Sequence, residues 1–460
     1  MRHYLQAQAT TKPISSRPWR LAVPLLGSTL AALLGNAPAK ADDSIAQAAK
    51  TTDCSQYDKY RLRGSETAII TTCDTISPDW GGARKSMIDD GWLVQNYSSV
   101  NESYDFNHAD SNARQAYSGQ RPTFQANSNF TITYDLSRLG FFGQNAQLGA
   151  QLTWYQNSYL GNGLRGAWVN QLSIEQEFDN RRVRLEYGFY SIGAKFYGAV
   201  LGTSTAASAL GPNSGLLYEA GVVIGGFKPT PAFDLRLYSA NLRFYNHFGM
   251  ARSSSPRGFQ YDSQENPSGL SLSVPGARAL YIDEAGYRAM PQADRFASWI
   301  RVGGVYNTSD YMNYKLGTWT TGNHMVYAAY TQQYTQPDAS NPVRGVYTDI
   351  KVDQAPSIHN VYDQDALFSL YSIGPFNSRP YDMATFGYQY KWISPWARQT
   401  LARKTGLQPI RSSETYTLSY AFHVMRGLYF NNSLSYTDHP VLVPQHEATL
   451  VWMSTLYFSF

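Results

Sequence analysis

The chain has 460 residues, among them 35 Tyr, 21 Phe, 10 Trp and 36 Gly, yet only 16% are charged and the mean hydropathy is −0.39. Beyond the N-terminal leader no stretch approaches the roughly 18 consecutive apolar residues of a membrane-spanning helix, which excludes a helical membrane protein. The 38 Lys+Arg exceed the 34 Asp+Glu only because five basic residues (Arg2, Lys12, Arg17, Arg20, Lys40) and no acids lie in residues 1–41; the remainder is 33 against 34, a net of −1, and gives no reason to expect a nucleic-acid partner.

Residues 1–41 read as a secretory signal peptide. Arg17 and Arg20 precede a short apolar run, Leu21–Leu34, and Ala39-Lys40-Ala41 supplies an A-x-A cleavage site before Asp42. Residues 42–90 alternate weakly and are expected to form a periplasmic N-terminal segment with a short helix. They hold the chain's two cysteines, Cys54 and Cys73. In an oxidising compartment one local disulfide is the expectation. A metal site is the weaker reading, because two thiols without nearby histidines are a poor ligand set.

From residue 91 onward the pattern has period two. Phe130, Ile132 and Tyr134 alternate with Thr131, Thr133 and Asp135; Leu148, Ala150, Leu152 and Trp154 with Gly149, Gln151 and Thr153. Leu172, Ile174 and Phe178 oppose Ser173, Glu175 and Glu177, and Val183, Leu185, Tyr187 and Phe189 oppose Arg182, Arg184 and Glu186. Residues 331–360 are rich in Gln, Pro, Asn and Asp and read as a long loop, folded into the lumen or covering the rim. The alternation resumes at Phe386, Tyr388, Tyr390 and Trp392 against Gln389 and Lys391, and at Tyr416, Leu418, Tyr420 and Phe422 against Thr415, Thr417 and Ser419.

Alternation alone fits a soluble sandwich or a membrane barrel. Tyr and Trp at the ends of the apolar faces (Trp154, Tyr390, Trp392, Tyr436) favour the barrel, since such rings suit a membrane–water interface. The last strand adds independent support: Leu450, Trp452, Leu456, Phe458 and Phe460 share one face and end the chain on an aromatic, as in bacterial outer-membrane barrels, whose assembly machinery reads that strand. The expected fold is therefore an all-β, antiparallel transmembrane barrel over 91–460. At about 9–11 residues per strand plus turns it has about 16 strands, with 18 the alternative, and encloses an aqueous lumen.

Asp79-Trp80-Gly81-Gly82-Ala83-Arg84, followed by Gly91, resembles the start of the carbohydrate-selective porin family, where a D-W-G-G-x-R element precedes a short helix and the first strand. Echoes at 281–288, 301–309 and 413–420 are less specific. Lys85 and Met87 depart from the family's usual Pro and Leu. The resemblance implies a 16-stranded outer-membrane barrel passing monosaccharides by diffusion, more often monomeric than trimeric, amid outer-membrane lipids and lipopolysaccharide. The motif residues Asp79, Trp80, Gly81, Gly82 and Arg84 are read as structural: the glycines permit a tight turn and Trp80 anchors at the interface.

The charged residues placed on the inward face are Asp135, Glu175, Glu177, Arg182, Arg184, Glu186, Arg236, Arg301 and Lys391. Mixed Arg and Glu offer hydroxyl partners and a transverse field without strong ion selectivity. For any one of them the plainer expectation is pairing across strands. A general or anion-preferring porin on the same barrel is the alternative function. Catalysis on lipid or peptide finds little support: there is no G-x-S-x-G or H-E-x-x-H element, and Ser419 and His423 sit about 13 Å apart on one strand. No cofactor or metal is expected.

Overall fold

In the computed structural model, residues 54–64, 71–107, 115–140, 145–159, 161, 164–198, 214–224, 227–441 and 447–460 are described. The signal peptide expected at 1–41, and residues 42–53, lie outside them.

Sixteen antiparallel strands close into one barrel. They are β1 (Trp92–Asp105), β2 (Thr123–Asp135), β3 (Ala146–Asn157), β4 (Gly166–Phe178), β5 (Val183–Tyr190), β6 (Thr230–Tyr238), β7 (Phe244–Arg252), β8 (Ala279–Ala289), β9 (Ser298–Asn313), β10 (Thr318–Gln333), β11 (Gly345–Gln354), β12 (Tyr362–Ile373), β13 (Met383–Ile393), β14 (Ser412–Met425), β15 (Leu428–Thr437) and β16 (Thr449–Ser459). Every strand pairs with its sequence neighbours, and β1 pairs with β16 from Tyr97↔Ser459 to Asp105↔Val451. Phe460 extends this seam by exchanging backbone hydrogen bonds of 2.9 and 3.0 Å with Asn96. Closure leaves no strand edge, so each ladder group finds a partner without water.

Exposure decides between sandwich and barrel. Leu152, Val302, Val326 and Leu418 are 54–59% exposed although each lies within a strand on an apolar face. A sandwich would bury them; a membrane barrel turns them to lipid. Exposed Trp92, Trp154, Trp319 and Trp392 sit near strand ends, where interfacial rings belong.

The barrel has unlike ends. At one, adjacent strands join through short turns, 179–182, 239–243 and 426–427; at the other lie long connections, 106–122, 191–229, 253–278 and 394–411, the last carrying the helix Pro395–Thr405. The two-residue turn depends on Gly427: its φ is +68°, and a Cβ would reach 2.7 Å from the Ser459 carbonyl oxygen. Ahead of β1 the helix Ala83–Asp89 stands at the short-turn end.

The long loop expected at 331–360 is not there. Thr331–Gln333 ends β10, 345–354 forms β11, and only 334–344 and 355–361 are connections. The Gln, Pro, Asn and Asp content of the region obscured a regular strand, in which Tyr347, Asp349, Lys351 and Asp353 are buried and face inward while Val346, Ile350 and Val352 face outward.

Candidate functional site

Within the connection 191–229, the described segments 191–198 and 214–224 lie inside the barrel. Their residues Ile192, Phe196, Leu216, Leu217 and Val222 are too apolar to be left in water, and the wall opposite offers Leu280, Ile282, Val305, Met325 and Tyr327. Together they form a dry cluster inside the barrel. Burying each such side chain contributes about 1.5–3 kcal/mol, which offsets the entropy of ordering the loop. Gly198, at φ +40°, lies flat on the Trp299 ring where a side chain would collide with it.

Charges on the wall clasp this loop. Arg301 is fully buried; its guanidinium donates to the carbonyls of Tyr197 (3.0 Å) and Gly198 (3.1 Å) and to Thr331 Oγ1 (3.1 Å), stands 3.5 Å from Asp349, and stacks 3.9 Å over Trp299. Glu284 accepts from the Tyr197 amide (3.0 Å), Tyr327 Oη (2.7 Å) and Tyr245 Oη (2.6 Å). Tyr197 Oη donates to Asp353 at 2.8 Å. Lys195 meets Glu186 at 2.5 Å, and Asp234 holds Arg236 at 3.2 Å and His247 at 2.9 Å.

Four of the residues singled out from sequence, Glu175, Glu186, Arg236 and Arg301, thus lie buried beneath or beside the loop. Glu177 and Arg184 pair at 3.2 Å closer to the short-turn end, where Arg181 and Arg63 also approach Glu177. Lys391 faces inward, with its ammonium 5.3 Å over the Tyr362 ring. One placement needs correcting. Arg182 precedes β5 in the exposed turn and pairs with Asp179 at 3.0 Å, because the chain must reverse in the four residues after Phe178. Asp135 ends β2, and its carboxylate accepts from the Ser137 amide (3.1 Å) as a cap on the following helical turn.

Away from the loop the wall carries rows of uncharged polar groups that were not singled out from sequence. On β14 and β15, Thr415 and Thr437 (3.0 Å) and Thr417 and Ser435 (2.9 Å) form hydroxyl pairs. On β1 to β4, Asn127 donates to Ser99 (2.9 Å), Gln151 to Thr131 (2.9 Å) and Asn170 to Gln151 (2.5 Å). Two aromatic pairs accompany them, Tyr97–Tyr457 at 5.8 Å and Tyr155–Trp168 at 6.4 Å between centroids. The signal was present in the polar alternation, but hydroxyls and amides draw less notice than charges. Chemically, this face donates and accepts hydrogen bonds without favouring either ion sign.

The Asp79–Arg84 element locks the short-turn end. Gly81 and Gly82 take φ of +67° and +95°, turning the chain so that Arg84 points inward. Arg84 is fully buried, donates to the carbonyls of Ser77 (3.1 Å), Pro78 (2.5 Å) and Val94 (3.3 Å), and stacks 4.2 Å over Trp80. Asp79 accepts from Tyr57 Oη at 2.8 Å. Cys54 and Cys73 are both disulfide-bonded.

Asp74 ties this region to the rim, accepting from Tyr429 Oη (2.5 Å) and the Gly427 amide (3.0 Å) beside His423 (3.2 Å). Burial alone would raise its carboxyl, but the bonds from His423, Tyr429 and Gly427 outweigh it and hold the group below its ordinary value. A depressed carboxylate contributes stability that is complete above about pH 4 and is lost as pH falls through the folded value. Amide exchange over residues 71–80 is therefore expected to accelerate below about pH 4, after correction for intrinsic rates, and Asp74→Asn is expected to flatten that response. Equal acid sensitivity in the variant would exclude Asp74 as the anchor.

A family model for the carbohydrate-selective porin, OprB family, matches residues 81–447. The chain is similar to the high-pH structure of Pseudomonas putida OprB, with a TM-score of 0.68 and 18% identity over 84% of this chain and 98% of that one. The low-pH structure of the same protein gives a TM-score of 0.53 at 16% identity, with the same coverage. No match is found among curated proteins.

Proposed function

The chain belongs to the carbohydrate-selective porin family, and from that premise we propose how a sugar crosses it. The protein is a sugar-passing outer-membrane porin, a channel and not a catalyst. The cargo is a monosaccharide-sized sugar that moves between the hydroxyl and amide rows of β14–β15 and β1–β4 and the clasped segments 191–198 and 214–224. The carrying observation is that Arg301, Glu284 and Asp353 are engaged with the loop, while rows of uncharged hydroxyls and amides line the wall away from it. Sugar hydroxyls exchange bonds with Thr417 and Ser435, and Tyr97 or Tyr155 offers a ring to the C–H face of a pyranose. Neutral, replaceable hydrogen bonds keep binding weak enough for release.

The short-turn end faces the periplasm and the long connections face outward, following the general asymmetry of such barrels. One copy encloses a complete lumen, which supports a working monomer. The outward apolar belt meets lipid and lipopolysaccharide, and the β16 strand ending at Phe460 is the assembly signal. In planar bilayers glucose is expected to reduce ion current in a concentration-dependent manner, and Thr417→Val with Ser435→Ala to weaken that block by roughly threefold to tenfold. A current indifferent to glucose, together with no swelling of glucose-bathed liposomes, would overturn the assignment.

A further inference from the structure

We propose that residues 57–64 form an inner constriction: a strap laid against the lumen wall at the short-turn mouth, past which cargo moves after passing the inward segments 191–198 and 214–224. The proposal rests on the porin reading. These residues precede the family match, which begins at residue 81, so the strap is a property of this chain's own N-terminal region.

Its backbone is bonded to inward-facing wall residues. The Tyr60 carbonyl accepts from Thr133 Oγ1 and from Gln147 Nε2, the latter at 3.0 Å, and the Arg63 amide donates to Gln147 Oε1 at 3.1 Å. The Gly64 carbonyl accepts from Arg236. Two glycines make room. A side chain at Gly149 would reach 2.6 Å from Leu62 Cδ1, so the bare wall there seats Leu62. Gly64 has φ +77°, and a Cβ on it would lie 2.6 Å from Glu186 Oε2 and 2.9 Å from Lys195 Nζ. Gly64 therefore sits where the wall and the inner loop already meet, and its backbone angle favours glycine. The returning chain is stapled to the strap, since Asp58 accepts from Thr71 Oγ1 and from the Thr72 amide, each at 2.8 Å. A chain layer takes about 5 Å of width even before side chains, a substantial part of a 16-stranded lumen.

The test uses the full chain in planar bilayers with KCl alone. Because both native cysteines are disulfide-bonded, Leu62→Cys presents a single free thiol. Its modification by an anionic, membrane-impermeant methanethiosulfonate is expected to lower single-channel conductance at least about twofold, while Lys85→Cys, on the exposed helix outside the lumen, shows no change on modification. Gly64→Leu, checked for an intact barrel by heat-modifiable gel mobility, is expected to raise conductance roughly 1.5-fold by lifting the strap. Complete labelling of Leu62→Cys, shown by mass, with unaltered current would overturn the proposal, as would wild-type conductance in an intact Gly64→Leu barrel. The readout contains no sugar. Failure of glucose block with these conductance changes present would count against the sugar reading alone.

Discussion

Arg301→Gln is expected to open the channel and blunt its response to sugar. The substitution removes the fork that holds the Tyr197 and Gly198 carbonyls and strips the cation facing Asp349. Charge-assisted hydrogen bonds of this kind contribute about 1.5–3 kcal/mol each, and breaking a buried pair costs about 3–5 kcal/mol. The loop should therefore leave the wall for a substantial fraction of the time. Single-channel conductance is expected to rise about twofold, and half-blocking glucose concentration to rise about tenfold, the equivalent of ~1.4 kcal/mol. Arg301→Lys keeps the charge but not the planar fork, so it should fall between the two. Wild-type conductance in Arg301→Gln would mean that the dry cluster alone retains the loop.

Arg84→Met is expected to act at the other end and in another manner. Here the loss is mechanical: three carbonyls and the Trp80 face lose their partner while the apolar stem is retained. The segment 71–82 should loosen by about 3 kcal/mol, seen as faster amide exchange there and as easier tryptic cleavage at Arg61 and Arg63. Barrel closure should survive, because the β1–β16 register does not pass through Arg84. Unchanged exchange in 71–82 would show that the turn stands without its arginine.

The barrel was legible because its signal is local. Period two, outward aromatics and the face shared by Leu450, Trp452, Leu456, Phe458 and Phe460 each need only a few neighbouring residues to be read. Sixteen strands followed from length and are what the structure contains. The lumen was less legible because its contents depend on distant pairings. Nothing near Arg301 in sequence announces the Tyr197 carbonyl. One clue was available: Leu280, Tyr281 and Ile282 are apolar on both faces, and an inward Leu and Ile need something apolar inside to cover them. The strand at 345–354 was obscured because the Gln, Pro, Asn and Asp around and within it gave the whole region the composition of a loop.

The seam between β1 and β16 sets the order of events in forming the molecule. Val100 lies beside Leu456, and every other strand pairs only with its neighbour along the chain. Hairpins can therefore form early and locally, but the ring has a single joint whose two halves come from opposite ends of the sequence. Its entropic cost of loop closure is met last, and until then the growing sheet keeps two open edges capable of joining those of another chain. Slow completion, and aggregation in proportion to concentration during that interval, are the kinetic signature expected of this topology.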